Sequence, residues 1–530
     1  MKAFSALYGR LDATTSTKAK TAALAEYFAA ASPRDAAWAV WFLAGNRPQR
    51  LLPARALGEL ACAEADIPPW LFEECYAAVG DLAETVALLL PGPGGESTLG
   101  LGDWIEQRLL SMRGQDREVQ KRAIQAAWRE LDPTGRFVWN KLITGQFRVG
   151  VSKLLVLRAL ASISGLTVKT LSERFVGTFE PTAAHYEVLI GEASQPSAGH
   201  PYPFFLAHAL HAEHTDFEIS LGPIDDWLVE WKWDGIRAQL VRRNGETWLW
   251  SRGEELITER FPEIVAAARE LPDGTVLDGE LMAFENDAPL PFARLQQRIG
   301  RKKLTPKVLA SAPATLACFD LLEDGGVDLR ERALHQRRAL LETRVGRGRA
   351  NIRVSERLTA ASWSALASVR SEARARSVEG VMLKRLDSAY GIGRTRGPWW
   401  KWKIDPMSVD AVLVYAARGH GRRASLYTDY TFAVWDQGAL VPFAKAYSGL
   451  SDEEIRGVDD FIKKNTSEKF GPVRSVKPAI VCEIGFEGIQ ASKRHKSGVA
   501  VRFPRILKLR TDKAPADADD LSALKALLVG

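Results

Sequence analysis

The residue with the most chemical potential in this chain is Lys232, inside WLVEWKWDGIR at residues 227 to 237. If this stretch is a strand, Trp227, Val229, Trp231 and Trp233 share one face, while Glu230, Lys232 and Asp234 share the other. A lysine placed so is either part of a solvated ion pair or a nucleophile. A lysine amine with its ordinary pKa of about 10.4 is almost wholly protonated at neutral pH. Neighbouring cations or a metal ion lower that value, and adjacent carboxylates raise it. The nucleophilic reading therefore needs further lysines or a metal nearby.

Later segments supply charge at strand ends. SRG at 251 to 253 carries Arg252, and VLDGELMAF at 276 to 284 puts Asp278 and Glu280 on one strand face. CFDLL at 318 to 322 offers the flat ring of Phe319, and EGVMLK at 379 to 384 offers Glu379 and Lys384. WWKWK at 399 to 403 sets Lys401 and Lys403 on one face and Trp400 and Trp402 on the other. Each segment alone reads as a strand with a solvated face. Together they suit a nucleoside triphosphate with magnesium: cations for the phosphates, carboxylates for the metal, an aromatic for the base. No G-x-x-x-x-G-K-[ST] occurs, so a P-loop is not the means of binding.

The elements that must position these residues fall into three stretches. Residues 1–200 read as an all-α domain, with amphipathic segments at 18–31, 36–43, 70–88, 101–111 and 117–131. Within it KLITGQFRVGVSKLLVLR, residues 141 to 158, carries Lys141, Arg148, Lys153 and Arg158 and no acid. Gly145 and Gly150 bracket a turn from which Arg148 projects, either as a phosphate contact or as part of a solvated basic face. GEASQPSAGHPYP at 191 to 203 reads as a linker. Residues 201–405 read as α/β, with a hairpin at Asn244-Gly245. Residues 406–530 are dominated by strands and suit a small β-barrel of OB type, with a helix capped by Ser451 and Glu454 among them.

Composition sets outer bounds. The chain has 530 residues, 46% apolar and 26% charged, with 71 basic against 65 acidic residues for a net charge of +6. That excess permits a polyanionic partner without requiring one. Cys62, Cys75, Cys318 and Cys482 are scattered, which argues against a zinc site or a disulfide framework and fits a reducing compartment. No apolar run is long enough for a membrane span. The expectation is a cytoplasmic protein without a membrane.

In motif order, EWKWDGIR, SRG, LDGE, FDLL, EGVMLK, WWKWK and RFPRILKLRTDK at 502 to 513 resemble the covalent nucleotidyltransferases. The chain is most similar to the three-domain ATP-dependent DNA ligases of bacteria and archaea. The resemblance implies a helical DNA-binding domain, an α/β adenylation domain of mixed antiparallel sheet and a C-terminal OB-fold. It implies ATP and Mg2+, with Mn2+ as an alternative, and nicked double-stranded DNA as substrate for a monomer. Lys232 would take AMP from ATP, pass it to the 5′-phosphate at the nick, and the 3′-hydroxyl would then seal the backbone.

Carried across by position, Glu230 would face the adenine and Phe319 would stack on it, while Arg237 and Arg252 would hold ribose and phosphate. Glu280 would lie near the ribose and a metal, and Glu379 would be a metal ligand. Lys401 and Lys403 would bind the α-phosphate. Arg510, Asp512 and Lys513 would orient the leaving pyrophosphate, their domain swinging on a hinge at 403–407. KLITGQFRVGVS resembles the family's DNA-binding signature, which assigns Arg148, with Lys141 and Lys153, to DNA.

Two departures stand out. YGIGRTR at 390 to 396 has Thr395 where the family has the second of two arginines, so the phosphate contact is either Arg394 or Arg396. Glu379 and Lys384 are five apart, so a pocket containing both needs a bulge near Gly380. An RNA ligase or capping enzyme would not need the helical domain, and an NAD-dependent ligase would bring a four-cysteine zinc site. A DNA-binding protein with a degenerate core would not keep every motif charge.

Overall fold

The structure is a computed structural model. It describes the chain except residues 96, 148, 178, 192–197, 212–213, 286–287, 300, 302–303, 347–350, 420–424, 471–472 and 529–530. Arg148, and residues 192–197 of the expected linker, lie outside the described residues. Two compact units emerge, Met1–Leu155 together with Asp405–Gly530, and Val156–Ile404. The units divide at 404/405 and at 155/156, beside the expected domain limits of 405/406 and 200/201. The helices that follow residue 155 are tied to the central unit: Glu173 pairs with Arg330 at 2.7 Å and Lys169 with Glu331 at 2.5 Å.

The N-terminal part of the first unit is helical, as expected. Its helices start where a short polar side chain caps an orphan amide: Ser16 before Thr17–Ala30, Ser32 before Pro33–Leu43, Asp132 before Pro133–Thr144. The expected helix over 70–88 is two helices, Pro69–Val79 and Leu82–Leu89. Gly80 ends the first at φ 82° and Asp81 caps the second, so local backbone chemistry overrides the continuous apolar period. The expected helix over 101–111 is α-helical only over Leu101–Asp103 and continues as a π-helix over Trp104–Leu110.

The C-terminal part is strand-rich. The long Met407–Arg418 strand pairs with Tyr427–Asp436 along one edge. Along its other edge it pairs first with Val481–Phe486 and then with Val473–Val476, while register shifts at Leu413/Tyr415 and Ala417/Arg418 interrupt its pairing with Tyr427–Asp436. Ser451 and Glu454 form the anticipated capping box on Asp452–Lys464.

The central unit is two sheets. One runs Ile352–Val354, Ala314–Asp324, Thr275–Glu285, Ile236–Arg243, Glu246–Ser251. The other runs Arg357–Leu358, Trp227–Trp231, Gly380–Arg385, Trp399–Lys403, His208–Ala209. Strand alternation sends Leu240, Leu277, Leu281 and Leu321 into an outer core and Val241, Val276 and Leu322 into an inner one. The second sheet answers with Trp399 inward and Trp402 outward. The Asn244-Gly245 turn has φ of 53° and 75°, the positive pair a two-residue hairpin demands.

Candidate active site

The strand expected through Lys232 stops at Trp231, and the next begins at Ile236. Lys232 follows directly on the strand end, its main chain stitched to the neighbouring strand: its N–H donates to Gly380 O and its C=O accepts from Glu379 N–H, each at 2.8 Å. Trp227, Val229 and Trp231 enter the outer core as alternation predicted, and Trp233 packs against it. Gly235 turns the chain under the first sheet, where a Cβ would stand 2.2 Å from Leu281 O.

The ammonium of Lys232 meets Glu379 Oε2 at 2.5 Å, and Lys403 Nζ reaches the same oxygen at 3.2 Å. Burial works against the charge of Glu379, but the two lysines more than offset it and hold the carboxyl below its ordinary range. Burial lowers Lys401, and Lys403, Lys232 and Arg394 push it the same way. Glu280 stands opposite Arg237 in the sheet register. Burial pushes its carboxyl up to about 7 against the pull of Lys232 and Arg237, with Glu379 and Asp234 adding to the rise. Lys232, Glu280, Glu379, Lys401 and Lys403 thus form one electrostatic group.

The expected bulge near Gly380 is absent. The Gly380–Arg385 strand keeps unbroken register with both neighbours. Glu379 lies before the strand, and Gly380, at φ 130° with a Cβ position only 2.4 Å from Trp402 O, lets the chain enter it at an angle no side chain would allow. Glu379 therefore turns to Lys232 without disturbing the alternation that brings Lys384 inward.

Lys384 is fully buried. Its Nζ donates to Glu230 Oε2 at 2.6 Å and lies 3.8 Å from the centroid of the Phe319 ring and 4.6 Å from that of Trp399. Burial, only partly offset by Glu230, lowers it. Glu230 is buried too, its Oε1 accepting from Arg338 Nη1 at 2.7 Å. Its carboxylate is thus occupied by two cations beside the ring expected to stack on a base.

Arg237 is held on both edges. Asp278 takes Nε and Nη2 at 3.1 and 2.7 Å, and Phe205 O takes Nη1 at 2.5 Å. Burial opposes its charge, and Asp278 raises it above the ordinary value. Tyr390 donates to Asp278 Oδ2 at 2.6 Å, and Phe319 and Trp399 each sit near 5.5 Å or closer to the guanidinium. Arg252 is exposed in the turn after Glu246–Ser251, its N–H donating to Arg237 O at 2.9 Å. Arg394 is among the cations acting on Lys401, whereas Arg396 lies 5.9 Å over Trp400, whose side chain alternates to the other face of the strand.

Sequence reasoning missed Asp278 and Tyr390 as the holders of Arg237, and Arg338 as a partner of Glu230. Asp278 and Tyr390 stood in quoted motifs, but which atom they serve is a tertiary matter; Arg338, on the Leu334–Val345 helix, carried no signal at all.

The remaining expected residues lie in the other unit. Lys141 is turned inward, with its ammonium on the carboxylate of Asp81, and forms a buried ion pair. Lys153 opens the Lys153–Ser164 helix and is half-buried. The turn before it is fixed by Phe147, stacked on Phe4 with ring centroids 5.7 Å apart, and by Lys20, whose Nζ donates to Val149 O and Gly150 O at 3.1 and 2.9 Å. Arg510, Asp512 and Lys513 lie together at and just beyond the end of the Arg505–Leu509 strand.

Among the described residues no single helix is long and apolar enough to cross a membrane. Three family models match the chain in order: DNA ligase N terminus over residues 1–161, ATP dependent DNA ligase domain over 206–403, and ATP dependent DNA ligase C terminal region over 423–513. A "Probable DNA ligase" of Koribacter versatilis (strain Ellin345) is 31% identical over 550 residues, spanning 96% of this chain and 93% of that protein. "DNA ligase 1" of Korarchaeum cryptofilum (strain OPF8) is 30% identical over 403 residues, 75% of this chain and 72% of that one. The solved structure Pmar-Lig_PreS3 aligns with a TM-score of 0.62 at 17% identity, over 96% of this chain and 99% of its own, which shows the shared fold. With three family models in order and a relative of this identity over nearly the whole of both chains, the chain belongs to the ATP-dependent DNA ligases.

Proposed function

We propose that this ligase seals nicks bearing a 5′-phosphate and a 3′-hydroxyl, with Lys232 as the residue that carries AMP. The observation that carries the reading is the cluster of Lys232, Glu379 and Lys403, with Glu379 Oε2 between the two ammonium groups. As the free amine, Lys232 Nζ forms a bond to the α-phosphorus of ATP. The bond from that phosphorus to the bridging oxygen breaks, and pyrophosphate leaves with the electron pair. The surplus proton on nitrogen passes to Glu379, the nearest base. Lys401 and Lys403 neutralise the α-phosphate, and Arg394 extends that cationic wall. Such displacements rest mostly on positioning and charge neutralisation.

In the second step an oxygen of the 5′-phosphate bonds to the adenylate phosphorus, the bond from that phosphorus to Lys232 Nζ breaks, and the nitrogen leaves as the amine, taking back the proton held by Glu379. In the third the 3′-hydroxyl attacks the 5′-phosphorus, its proton goes to solvent, and AMP leaves. Phe319, backed by Lys384, is the stacking surface for adenine, and Glu230 lies at that edge of the pocket. Arg252 meets phosphate or ribose, while Arg237, gripped by Asp278, shapes the floor beneath it. Arg510, Asp512 and Lys513 orient the leaving pyrophosphate in the first step, and the boundary at Ile404/Asp405 supports a hinge there.

Glu280 and Glu379 are the residues that would hold Mg2+ or Mn2+. An ion of this kind takes one or two carboxylates and completes its shell with water and phosphate oxygens. When bound it neutralises phosphate charge. On the helical domain, the DNA contact is Arg148, which lies outside the described residues, with Lys153. The protein acts as a cytoplasmic monomer.

Full-length protein incubated with magnesium and α-labelled ATP will gain one AMP on the 227–237 peptide and will seal nicked duplex with ATP but not NAD. Absence of that mass gain overturns the assignment of Lys232.

A further inference from the structure

Away from the Lys232 pocket, charge in the C-terminal domain gathers on one acid. Asp410 lies near the start of the Met407–Arg418 strand and is only 7% exposed. Its carboxylate accepts from Arg510 Nη1 at 3.0 and 2.9 Å and from Lys513 Nζ at 2.6 Å. Arg510 turns its other edge to Asp512, which takes Nε and Nη2 at 2.9 and 2.8 Å. A guanidinium bound along both edges has its plane fixed. The acid itself is anchored by main chain: Asp410 N–H donates to the carboxylate of Asp519 at 2.8 Å, and Asp519 N–H returns to Asp410 O at 2.9 Å.

We propose that Asp410 is a positioning residue for the ATP-consuming step, holding Arg510 and Lys513 in the orientation in which they meet the leaving pyrophosphate. This rests on the reading of Arg510 and Lys513 given above. The opposite role is physically available: a carboxylate on both cations could compete with pyrophosphate and act as a brake. Burial decides between them. Asp410 is nearly closed to solvent, whereas the side chain of Asp512 is 59% exposed, so Asp512 is the carboxylate an incoming phosphate can replace. Asp410 grips from beneath, and the cations keep exposed atoms for a ligand, 20% for the Arg510 side chain and 30% for that of Lys513. Two long, flexible side chains are thereby ordered before ATP arrives, which is how positioning groups lower a barrier. The hydrogen bonds to Asp512 and Asp410 also keep Arg510 and Lys513 firmly charged.

The test is Asp410→Asn in the full-length protein. One assay follows the rate of covalent labelling by α-labelled ATP across ATP concentrations, and the other the sealing of a nick already carrying a 5′-adenylate. Labelling should slow by about 10- to 100-fold, in kcat more than in KM for ATP, because a misplaced group costs on that scale. Sealing of the adenylated nick should stay within about twofold, since pyrophosphate has already left. Labelling at the normal rate or faster overturns the proposal, and equal losses in both assays replace it with general destabilisation. Asp410→Glu keeps the charge but shifts its reach, and should show the same split, more mildly, if the asparagine variant does not fold. Arg510→Ala separates the two levels of inference. If it labels normally, the reading of Arg510 fails and Asp410 with it; if it is inactive while Asp410→Asn is normal, only the role of Asp410 fails.

Discussion

Glu379 Oε2 lies 2.5 Å from Lys232 Nζ, so the proposed nucleophile is paired with an anion. Glu379 holds Lys232 in place, and in the proposed first step it is the proton acceptor. Glu379→Gln keeps the shape and removes the charge. Its labelling by ATP should fall by at least about 10-fold, on the scale of a lost general base, and raising the pH should restore part of the rate. Lys232→Ala should take no label at any pH. Unchanged kinetics in Glu379→Gln would remove this residue from the reaction.

Glu280 gives a pH dependence with a definite sign. Its folded-state value is up near 7, above the ordinary carboxyl value, so between about 4.5 and 7 the folded protein binds more protons than the unfolded one. Stability contributed by this group is present at low pH and is lost as pH rises through 7. Denaturant titrations of the ligand-free protein should show that loss, and Glu280→Gln should flatten it. Divalent-ion affinity should rise over the same interval in the wild type, as the carboxylate forms. A variant with the same pH slope as wild type would show that Glu280 does not titrate there.

Lys384 supports Phe319 from behind and neutralises Glu230. Lys384→Met keeps length and apolar bulk but leaves Glu230 to Arg338 alone. The loss of a buried charged hydrogen bond should lower stability by about 1.5–3 kcal/mol. KM for ATP should rise while the maximal labelling rate changes little. A fall in maximal rate with KM unchanged would place Lys384 in the chemical step instead.

Two lysines of the helical domain should behave oppositely. Lys141 is buried on Asp81, so Lys141→Ala should destabilise by about 3–5 kcal/mol, the cost of stranding a buried charge. Its salt dependence of nick binding should be untouched. Lys20 pins the carbonyls of Val149 and Gly150, so Lys20→Met should loosen the 145–150 turn, weaken nick binding, and flatten the salt dependence by about one unit of slope per lost phosphate contact. Self-adenylation should be unaffected by Lys20→Met. A flattened slope for Lys141→Ala would reverse the two roles.

The amino-acid sequence by itself determined the elements and the chemical inventory. Alternation put Lys401 and Lys403 on one face and Trp400 and Trp402 on the other, and Asn244-Gly245 set a hairpin. These are local matters, fixed by side-chain period, backbone preference and residue type. Adenylyl transfer was implied by the resemblance of the motif order to a known family. Which charge meets which was decided only when strands distant in sequence came together. Lys141 found its partner only when the break at Gly80 placed Asp81 beside it. Glu230 proved to be gripped by Arg338 and Lys384, and Glu379 reached Lys232 through a glycine with positive φ where a bulge had been expected. A buried charge has to find its partner wherever the fold brings one within reach, and sequence spacing carries no record of that distance.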